Sequence, residues 1–206
     1  MNLLSEGERS RLRAAASQLQ KDGLRKFTSW WLITGAPGSG KTTLAHRFAA
    51  GGWHVVEDPG RAEVEHQMEA GIGAVESRRD YLDFQRRVLD RALREIEQLP
   101  TNGKNIVLDY GVAEALAFMK AARIPWEDVF IHAAAKYHFE KVFILDIVAL
   151  ETEDPIRREG AELRAQLRGL ICEIYAALGH GYVAVPSVPV TERLRLVMEH
   201  ADAGRA

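Results

Sequence analysis

The residues from Gly35 to Thr42 have the types and spacing that bind a phosphate chain. They spell GAPGSGKT and match the P-loop pattern G-x-x-x-x-G-K-[ST], after an apolar run and before a helical pattern. Glycines let successive backbone N–H groups turn inward without a Cβ clash, and a helix N-terminus adds partial positive charge. The predicted nucleotide-binding residues are therefore Gly35, Ala36, Pro37, Gly38, Ser39, Gly40, Lys41, Thr42 and Thr43.

Two side chains of this motif and one distant carboxylate suit the chemistry of a magnesium nucleotide. Lys41 is expected to bridge the terminal phosphates, and the Thr42 hydroxyl is expected to ligate Mg²⁺. Asp109 ends the apolar run IVLD, after the P-loop and one intervening strand, where a Walker B acid belongs. We predict a metal site at Thr42 and Asp109, with a structural carboxylate as the alternative for Asp109.

Three further side chains could act on an acceptor or on a transferring phosphoryl group. Asp58 ends the run VVED, and ligands of parallel sheets gather beyond the carboxyl ends of strands. It is either a base for an acceptor hydroxyl or a turn-forming residue. Arg157 and Arg158, in ETEDPIRREGAEL, either supply one catalytic arginine from a lid or form a solvated helix start. With Lys41, these are the predicted catalytic residues.

Short apolar runs that alternate with helical patterns provide the scaffold for these residues. Strands are predicted at residues 30–34, 53–58, 105–111, 141–148 and 181–186. Helices are predicted from residue 41 and over 77–99, 112–122, 132–138, 161–179 and 190–200. This order predicts an α/β fold, a mostly parallel sheet with helices on both faces. Residues 60–79 have no clear period and are predicted to form a substrate loop.

The first 27 residues form a separate pattern. Their helical spacing places one apolar stripe on Leu4, Leu12, Ala15, Leu19 and Leu24. We predict a peripheral helix or arm over residues 1–27, followed by a nucleotide-binding domain over 28–206. A basic amphipathic arm could contact lipid or nucleic acid, but acidic residues dilute its charge.

The composition supports one domain and excludes several classes of protein. The chain has 206 residues, 47% of them apolar and 27% charged, and its net charge of -2 gives no bulk attraction to nucleic acid or anionic lipid. A single cysteine, Cys172, permits no internal disulfide. No apolar run approaches the ~18 residues of a membrane span, and the charged N-terminal stretch does not match a secretory signal. These features favour a cytoplasmic protein.

In combination, the motifs resemble those of small P-loop proteins known as AAA-like predicted ATPases, which are relatives of the kinase domain of bacterial nicotinamide riboside kinase. The resemblance covers residues 29–200 and rests on TGAPGSGKTT, GWHVVEDPGRAEVEHQ, VLDYGVAEALAF, DPIRREGAEL and GYVAVPSVPVTERLRLV. It implies a three-layer α/β/α P-loop NTPase with a five-stranded parallel sheet in the kinase-like order 2-3-1-4-5. It also implies phosphate binding by residues 35–43, metal binding by Asp109, and a lid role for Arg157 or Arg158.

Two positions depart from the pattern of this family. Tyr110 occupies the position of a usual arginine, and Ala113-Glu114 that of a usual aspartate. The acceptor pocket is therefore expected to be built differently in this chain.

These observations favour an ATP-dependent enzyme that transfers the γ-phosphoryl group, with Mg²⁺, to a nucleoside-like or other small hydroxylated acceptor. The alternative is a nucleotide-sensing switch or an NTPase without an acceptor. ATP is the default nucleotide because the guanine signature N-K-x-D does not occur. Nucleic acid is not an expected partner, because the charge is balanced and no aromatic-basic stripe occurs. The oligomeric state is left open.

Overall fold

Strands and helices alternate along the chain in a computed structural model that describes residues 2–74, 76–148 and 160–202. The helices are α1 (Glu6–Lys21), α2 (Lys41–Ala50), α3 (Pro59–Glu69), α4 (Tyr81–Ile96), α5 (Glu114–Ala121), α6 (Asp128–Lys136), α7 (Ala161–Ala177) and α8 (Val190–Asp202), with a 3-10 turn at Glu76–Arg78. The strands are β1 (Lys26–Phe27), β2 (Trp31–Thr34), β3 (His54–Val56), β4 (Ile106–Leu108), β5 (Tyr137–His138), β6 (Lys141–Leu145) and β7 (Val183–Val185).

Five of the strands form one parallel sheet in the order β3-β4-β2-β6-β7. Strand β2 is central, and its Leu32 is in register with Leu108 of β4 and Val142 of β6. Numbered along the chain, these five strands have the order 2-3-1-4-5. The predicted fold class and the strand order implied by the family resemblance are confirmed. The C-terminal ends of β2, β3 and β4 are adjacent, which brings residues that follow them to one edge of the sheet.

Both faces of the sheet are covered by helices, which explains why the run WWLIT is continuously apolar. Trp31 and Ile33 pack in one hydrophobic cluster with residues of α2 and α8. Trp30 and Leu32 belong to a second cluster, with residues of α1, α4, α5, α6 and α7. Successive strand residues point to opposite faces, so a strand covered on both sides needs no polar positions. The three-layer arrangement follows directly.

Helix α1 packs onto the second of these clusters. Leu12 and Leu19 are buried there, whereas Leu24, also assigned to the predicted stripe, is 59% exposed. Glu173 of α7 accepts hydrogen bonds from the Leu3 and Leu4 backbone N–H groups at 2.8 and 2.9 Å. These contacts fix the start of the chain on α7. The division of the chain at residue 27 stays a prediction.

The predicted substrate loop at 60–79 is largely wrong, because residues 59–69 form helix α3. Asp58 caps this helix by accepting a hydrogen bond from the Gly60 N–H at 2.8 Å, and Pro59 is its first residue. The helix has no apolar period because it buries Val64 beside the carboxylate of Glu63. That carboxylate forms ion pairs with Arg87 and Arg91 of α4, with N···O distances of 2.9 and 3.3 Å.

The predicted helix through His138 is also wrong at its end. Helix α6 ends at Lys136, and Tyr137 and His138 form β5, which pairs in parallel with β1. The Tyr137 ring is buried and stacks on Trp30 at a centroid distance of 5.5 Å. Pairing with β1 and this ring contact favour extended backbone where the alanine-rich sequence predicts helix.

Across the described residues, no helix has both the length and the apolar composition that a membrane span requires.

Candidate functional site

The loop between β2 and α2 has the backbone conformation that its glycines permit. Gly38 and Gly40 have φ angles of 76° and 83°, in the left-handed region that side chains disfavour. Gly35 has a φ of 148°, and a Cβ atom there would lie 2.8 Å from the Leu145 carbonyl oxygen. The loop leads into the N-terminus of α2, where backbone N–H groups lack intrahelical partners. This geometry suits an anion such as a phosphate.

Lys41 lies in this loop with its ammonium group turned onto the loop backbone. Its side chain is buried, and Nζ donates hydrogen bonds to the carbonyl oxygens of Gly35 and Ala36 at 2.9 and 3.3 Å. These two contacts within the phosphate loop are with neutral acceptors. A phosphate oxygen, being charged, is a stronger acceptor for the same group.

The two predicted metal ligands are brought together by the sheet. The Thr42 hydroxyl donates a 2.7 Å hydrogen bond to Asp109 Oδ2, and Asp109 is buried at the end of β4. One hydroxyl and one carboxylate fit Mg²⁺, which prefers oxygen ligands and usually completes its coordination with water and substrate phosphates. The ligand role of both residues stays a prediction.

A cleft of about 750 Å³, including its open mouth, lies beside the phosphate loop. Residues of the loop and of α3, α4 and α5 form its walls. Its lining residues are Gly35, Pro37, Lys41, Asp58, Gly60, Arg61, Arg78, Tyr81, Phe84, Gln85, Val88, Tyr110, Glu114 and Phe118. Lys41 and Asp58 thus line one cavity, although the sequence separates them by a helix and a strand. Asp58 also caps α3, as the turn-forming interpretation expects, and its role as a base stays a prediction.

Glu114 is a buried acid in the cleft wall that the sequence analysis noted only as a departure from the family. Its carboxylate accepts hydrogen bonds from the Thr34 hydroxyl, from the Gly111 N–H at 3.0 Å and from the Tyr175 hydroxyl at 2.8 Å. Burial raises its pKa to about 7 against the lowering effect of these donors. Burial and then the charge of Glu114 raise the pKa of Tyr110 well above its ordinary value.

The Glu114 network joins the phosphate loop to the cleft. Thr34 is the last residue of β2, directly before Gly35, and Tyr175 comes from α7. A side chain at position 111 would collide with the Tyr175 hydroxyl, since a Cβ there would lie 1.9 Å from it. The glycine in the sequence DYG is therefore required by this network. In the sequence, the one indication that Glu114 belongs to the site is its position at the start of the next helix, five residues after Asp109.

Arg193 of α8 is a second residue that the sequence analysis missed. Its side chain is 2% exposed and donates hydrogen bonds to the carbonyl oxygens of Ser39, Asp146 and Pro186, the last two at 3.0 and 2.9 Å. Burial lowers the pKa of its guanidinium group. One side chain thus ties the phosphate loop to the ends of β6 and β7, a role that no local pattern in the sequence indicates.

Arg157 and Arg158, predicted to belong to a lid, lie outside the described residues. Within those residues, no group of three or more histidine, cysteine, aspartate or glutamate side chains could hold a metal ion.

A family model described as an AAA domain matches residues 30–193. Comparison with curated protein sequences gave no match. Solved structures that are similar over most of the chain include nucleoside and nucleotide kinases.

Deoxyadenosine kinase from M. mycoides is one of these, in two structures. The structure with bound dATP has a TM-score of 0.65 and 18% identity and covers 84% of this chain and 99% of that one. The structure with the products dCMP and a flexible dCDP has a TM-score of 0.60, 17% identity, and coverage of 84% and 98%. Thymidylate kinase from Candida albicans has a TM-score of 0.53 and 14% identity and covers 86% and 92%. At these identities the similarity shows a common fold.

Proposed function

This chain belongs to the AAA domain family, and we propose that it is a kinase that transfers the γ-phosphoryl group of ATP to a nucleoside-like acceptor. The fold is that of P-loop nucleoside and nucleotide kinases, which confirms the resemblance carried by the motifs. One observation carries the proposal. Lys41, from the phosphate loop, and Asp58, at the end of β3, line a single cleft whose remaining wall is aromatic and polar. A site for phosphates alone needs no cleft of this kind beside the loop.

The donor side of the reaction is assigned to residues around the loop. The backbone of residues 35–43 and Lys41 would hold the ATP phosphates, with Lys41 exchanging the carbonyl oxygens of Gly35 and Ala36 for phosphate oxygens. Thr42 and Asp109 would hold Mg²⁺, whose charge neutralises part of the negative charge on the phosphates. Arg157 or Arg158 is proposed to add positive charge to the equatorial oxygens of the transferring group.

The acceptor side of the reaction is assigned to the cleft. Asp58 lies in its wall and is proposed to accept the proton of the attacking hydroxyl group. One of its oxygens is engaged by the Gly60 N–H, which fixes the orientation of the carboxylate. Glu114 already accepts hydrogen bonds from three donors. We propose that it fixes the position of the loop relative to the cleft wall and takes no part in proton transfer.

Product analysis tests this proposal. The protein is incubated with γ-labelled ATP, Mg²⁺ and a panel of nucleosides, nucleotides and other hydroxylated metabolites, and the products are separated and identified by mass. We expect ADP and one phosphorylated acceptor in equal amounts. Lys41→Met is the control for contaminating kinases, because it removes the cation of the loop. Release of ADP and inorganic phosphate alone, with every acceptor, would identify an NTPase or nucleotide switch instead.

A further inference from the structure

Gln85 on α4 presents a buried polar group to the cleft. The side chain is 3% exposed and lines the cavity, and its Oε1 atom accepts no hydrogen bond from the residues that the structure describes. Buried amide oxygens are nearly always paired, because an unpaired one loses its hydration without compensation. The unpaired Oε1 atom of Gln85 is therefore a specific feature of this cleft. A bound molecule with a hydrogen-bond donor could pair with it.

The surroundings of Gln85 restrict the shape of that molecule. Tyr81, Phe84, Val88 and Phe118 line the same cavity and give it broad apolar surfaces. Ligand pockets of this composition bind flat apolar faces and orient them through a few polar groups. A planar heteroaromatic ring fits such walls, and only its edge can hydrogen-bond to a carboxamide.

Both carboxylates in the cleft wall already accept hydrogen bonds from the protein. Glu114 accepts hydrogen bonds from Thr34, Gly111 and Tyr175, and one oxygen of Asp58 accepts from Gly60. Among the described residues that line the cleft, Gln85 is thus the one with a buried acceptor atom that receives no hydrogen bond.

We propose that Gln85 selects the acceptor by accepting a hydrogen bond from an N–H group on the edge of its ring. The acceptor is then a nucleoside-like molecule whose ring carries an amino or carboxamide group, with its sugar hydroxyl directed to the loop. Calling this molecule the acceptor rests on the proposed kinase function. The recognition of the ring edge rests on the cleft alone and is testable by binding.

The test compares pairs of ring compounds that differ in this N–H group. The pairs are adenosine and purine riboside, cytidine and pyrimidin-2-one riboside, and nicotinamide riboside and nicotinic acid riboside. Each compound is titrated by calorimetry into the full chain with the ATP analogue AMP-PNP and Mg²⁺ in excess, so that the loop site is filled. We expect at least one N–H-bearing member to bind about 10- to 100-fold more tightly than its partner.

Two variants assign any preference to Gln85. Gln85→Leu has a similar size and no polar atom, and it should reduce the preference to within about twofold. Its melting temperature should equal or exceed that of the wild type, because an unsatisfied buried oxygen has been removed. Gln85→Glu keeps acceptor oxygens and should retain the preference. If the leucine variant does not fold, Gln85→Met replaces it.

Three results would overturn the inference. The first is no N–H preference in any pair, including no binding at all. The second is a preference that persists in Gln85→Leu, or in Gln85→Met where that variant replaces it. The third is a melting temperature below that of the wild type in whichever of these two variants folds and is used. These outcomes differ from failure of the proposed function. A protein that discriminates the pairs through Gln85 but forms no phosphorylated product supports this inference and contradicts the kinase. A protein that phosphorylates an acceptor with no preference for the ring-edge N–H supports the kinase and contradicts this inference.

Discussion

The Thr42 hydroxyl and the Asp109 carboxylate are joined by a 2.7 Å hydrogen bond across 67 positions of sequence. The contact exists because β4 is the neighbour of β2, so that the residue after β4 faces the start of the helix that follows β2. The strand order implied by the family resemblance thus has a direct structural consequence. It brings together the two side chains that the sequence predicts to share a Mg²⁺ ion.

Asp109→Asn should lower Mg²⁺-dependent turnover by at least about 100-fold, while binding of ATP without metal changes little. Asparagine keeps an oxygen for the Thr42 hydrogen bond but lacks the charge that Mg²⁺ requires. Turnover is measured against Mg²⁺ concentration, and ATP binding is measured in EDTA. Thr42→Ser, which keeps the hydroxyl, serves as a control with near-normal activity. Wild-type turnover in Asp109→Asn would show that Asp109 is a structural carboxylate.

ATP with Mg²⁺ should stabilise the wild-type fold by about 2.7 kcal/mol at a hundredfold excess over the dissociation constant, because a ligand that binds only the native state shifts the unfolding equilibrium. Lys41→Met should lose most of this stabilisation, since the neutral side chain cannot pair with phosphates. Thermal melts with and without nucleotide measure both effects. An unchanged melting temperature of the wild type in millimolar ATP and Mg²⁺ would exclude nucleotide binding at the loop.

Much of the fold was predictable because its signals are local. The five strands of the sheet are short apolar runs that precede turns or helices, and their positions match the predicted ones. Helix α3 was not predictable from apolar period, because it buries Glu63 against arginines of α4. The β1–β5 pair was not predictable either, since two-residue strands carry no pattern and form only through their contacts with one another.

The residues of the candidate site also fall into two groups, those that local sequence patterns predict and those that such patterns do not predict. The glycines of the loop and Lys41 were identified because the chemistry needs them at fixed spacing, and Asp109 because it ends a strand at a known place in the order. Gln85 and Arg193 were missed because each reaches its position only through packing of a helix distant in sequence from the loop. The roles of these two residues depend on the backbone groups or the cavity that each side chain contacts. Spacing along the sequence does not predict such contacts.

Arg193→Met should lower the free energy of unfolding by about 2–5 kcal/mol, because three carbonyl oxygens lose a charged, buried donor. Arg195→Met, on the same helix, is the matched control. The Arg195 side chain is 53% exposed and, among the described residues, pairs with the neighbouring Glu192 and Glu199. Arg195→Met should therefore change the free energy of unfolding far less than Arg193→Met does. Urea unfolding measures both variants. Equal effects would show that the contacts of Arg193 do not hold the loop.

Glu114 should make the fold less stable as the pH rises from about 4.5 to 7. Its pKa is raised from 4.5 to about 7 in the folded protein, so the folded state binds more protons than the unfolded state in this window. The stability contributed by the neutral acid is complete below about 4.5 and is lost as the pH passes 7. Relative to the wild type, Glu114→Gln should therefore become more stable between pH 5 and pH 8.

Urea unfolding at several pH values measures this difference, with the exposed Glu162→Gln as the control for general effects of charge. Parallel stability profiles of the wild type and Glu114→Gln would show that Glu114 titrates as an ordinary carboxylate.

Asp58→Asn should abolish most transfer to an acceptor while leaving ATP hydrolysis and stability nearly unchanged. The Asp58 side chain has two separable functions, since Oδ1 caps α3 through the Gly60 N–H and the carboxylate also lines the cleft. Asparagine caps a helix as well as aspartate does but cannot accept a proton at neutral pH. Loss of a general base typically lowers the rate by about 10²- to 10⁴-fold. Water attacking ATP needs no carboxylate placed for an acceptor, so background hydrolysis should continue.

Asp58→Ala separates the two functions, because it loses the cap as well and should cost about 1 kcal/mol of stability in addition to activity. Phosphorylated product and inorganic phosphate are counted in the same reaction, and unfolding is followed in urea. If Asp58→Asn transfers phosphate at the wild-type rate, Asp58 serves only as the cap of α3. If it loses transfer and hydrolysis in equal measure, Asp58 acts on the nucleotide and the acceptor base must be sought elsewhere in the cleft.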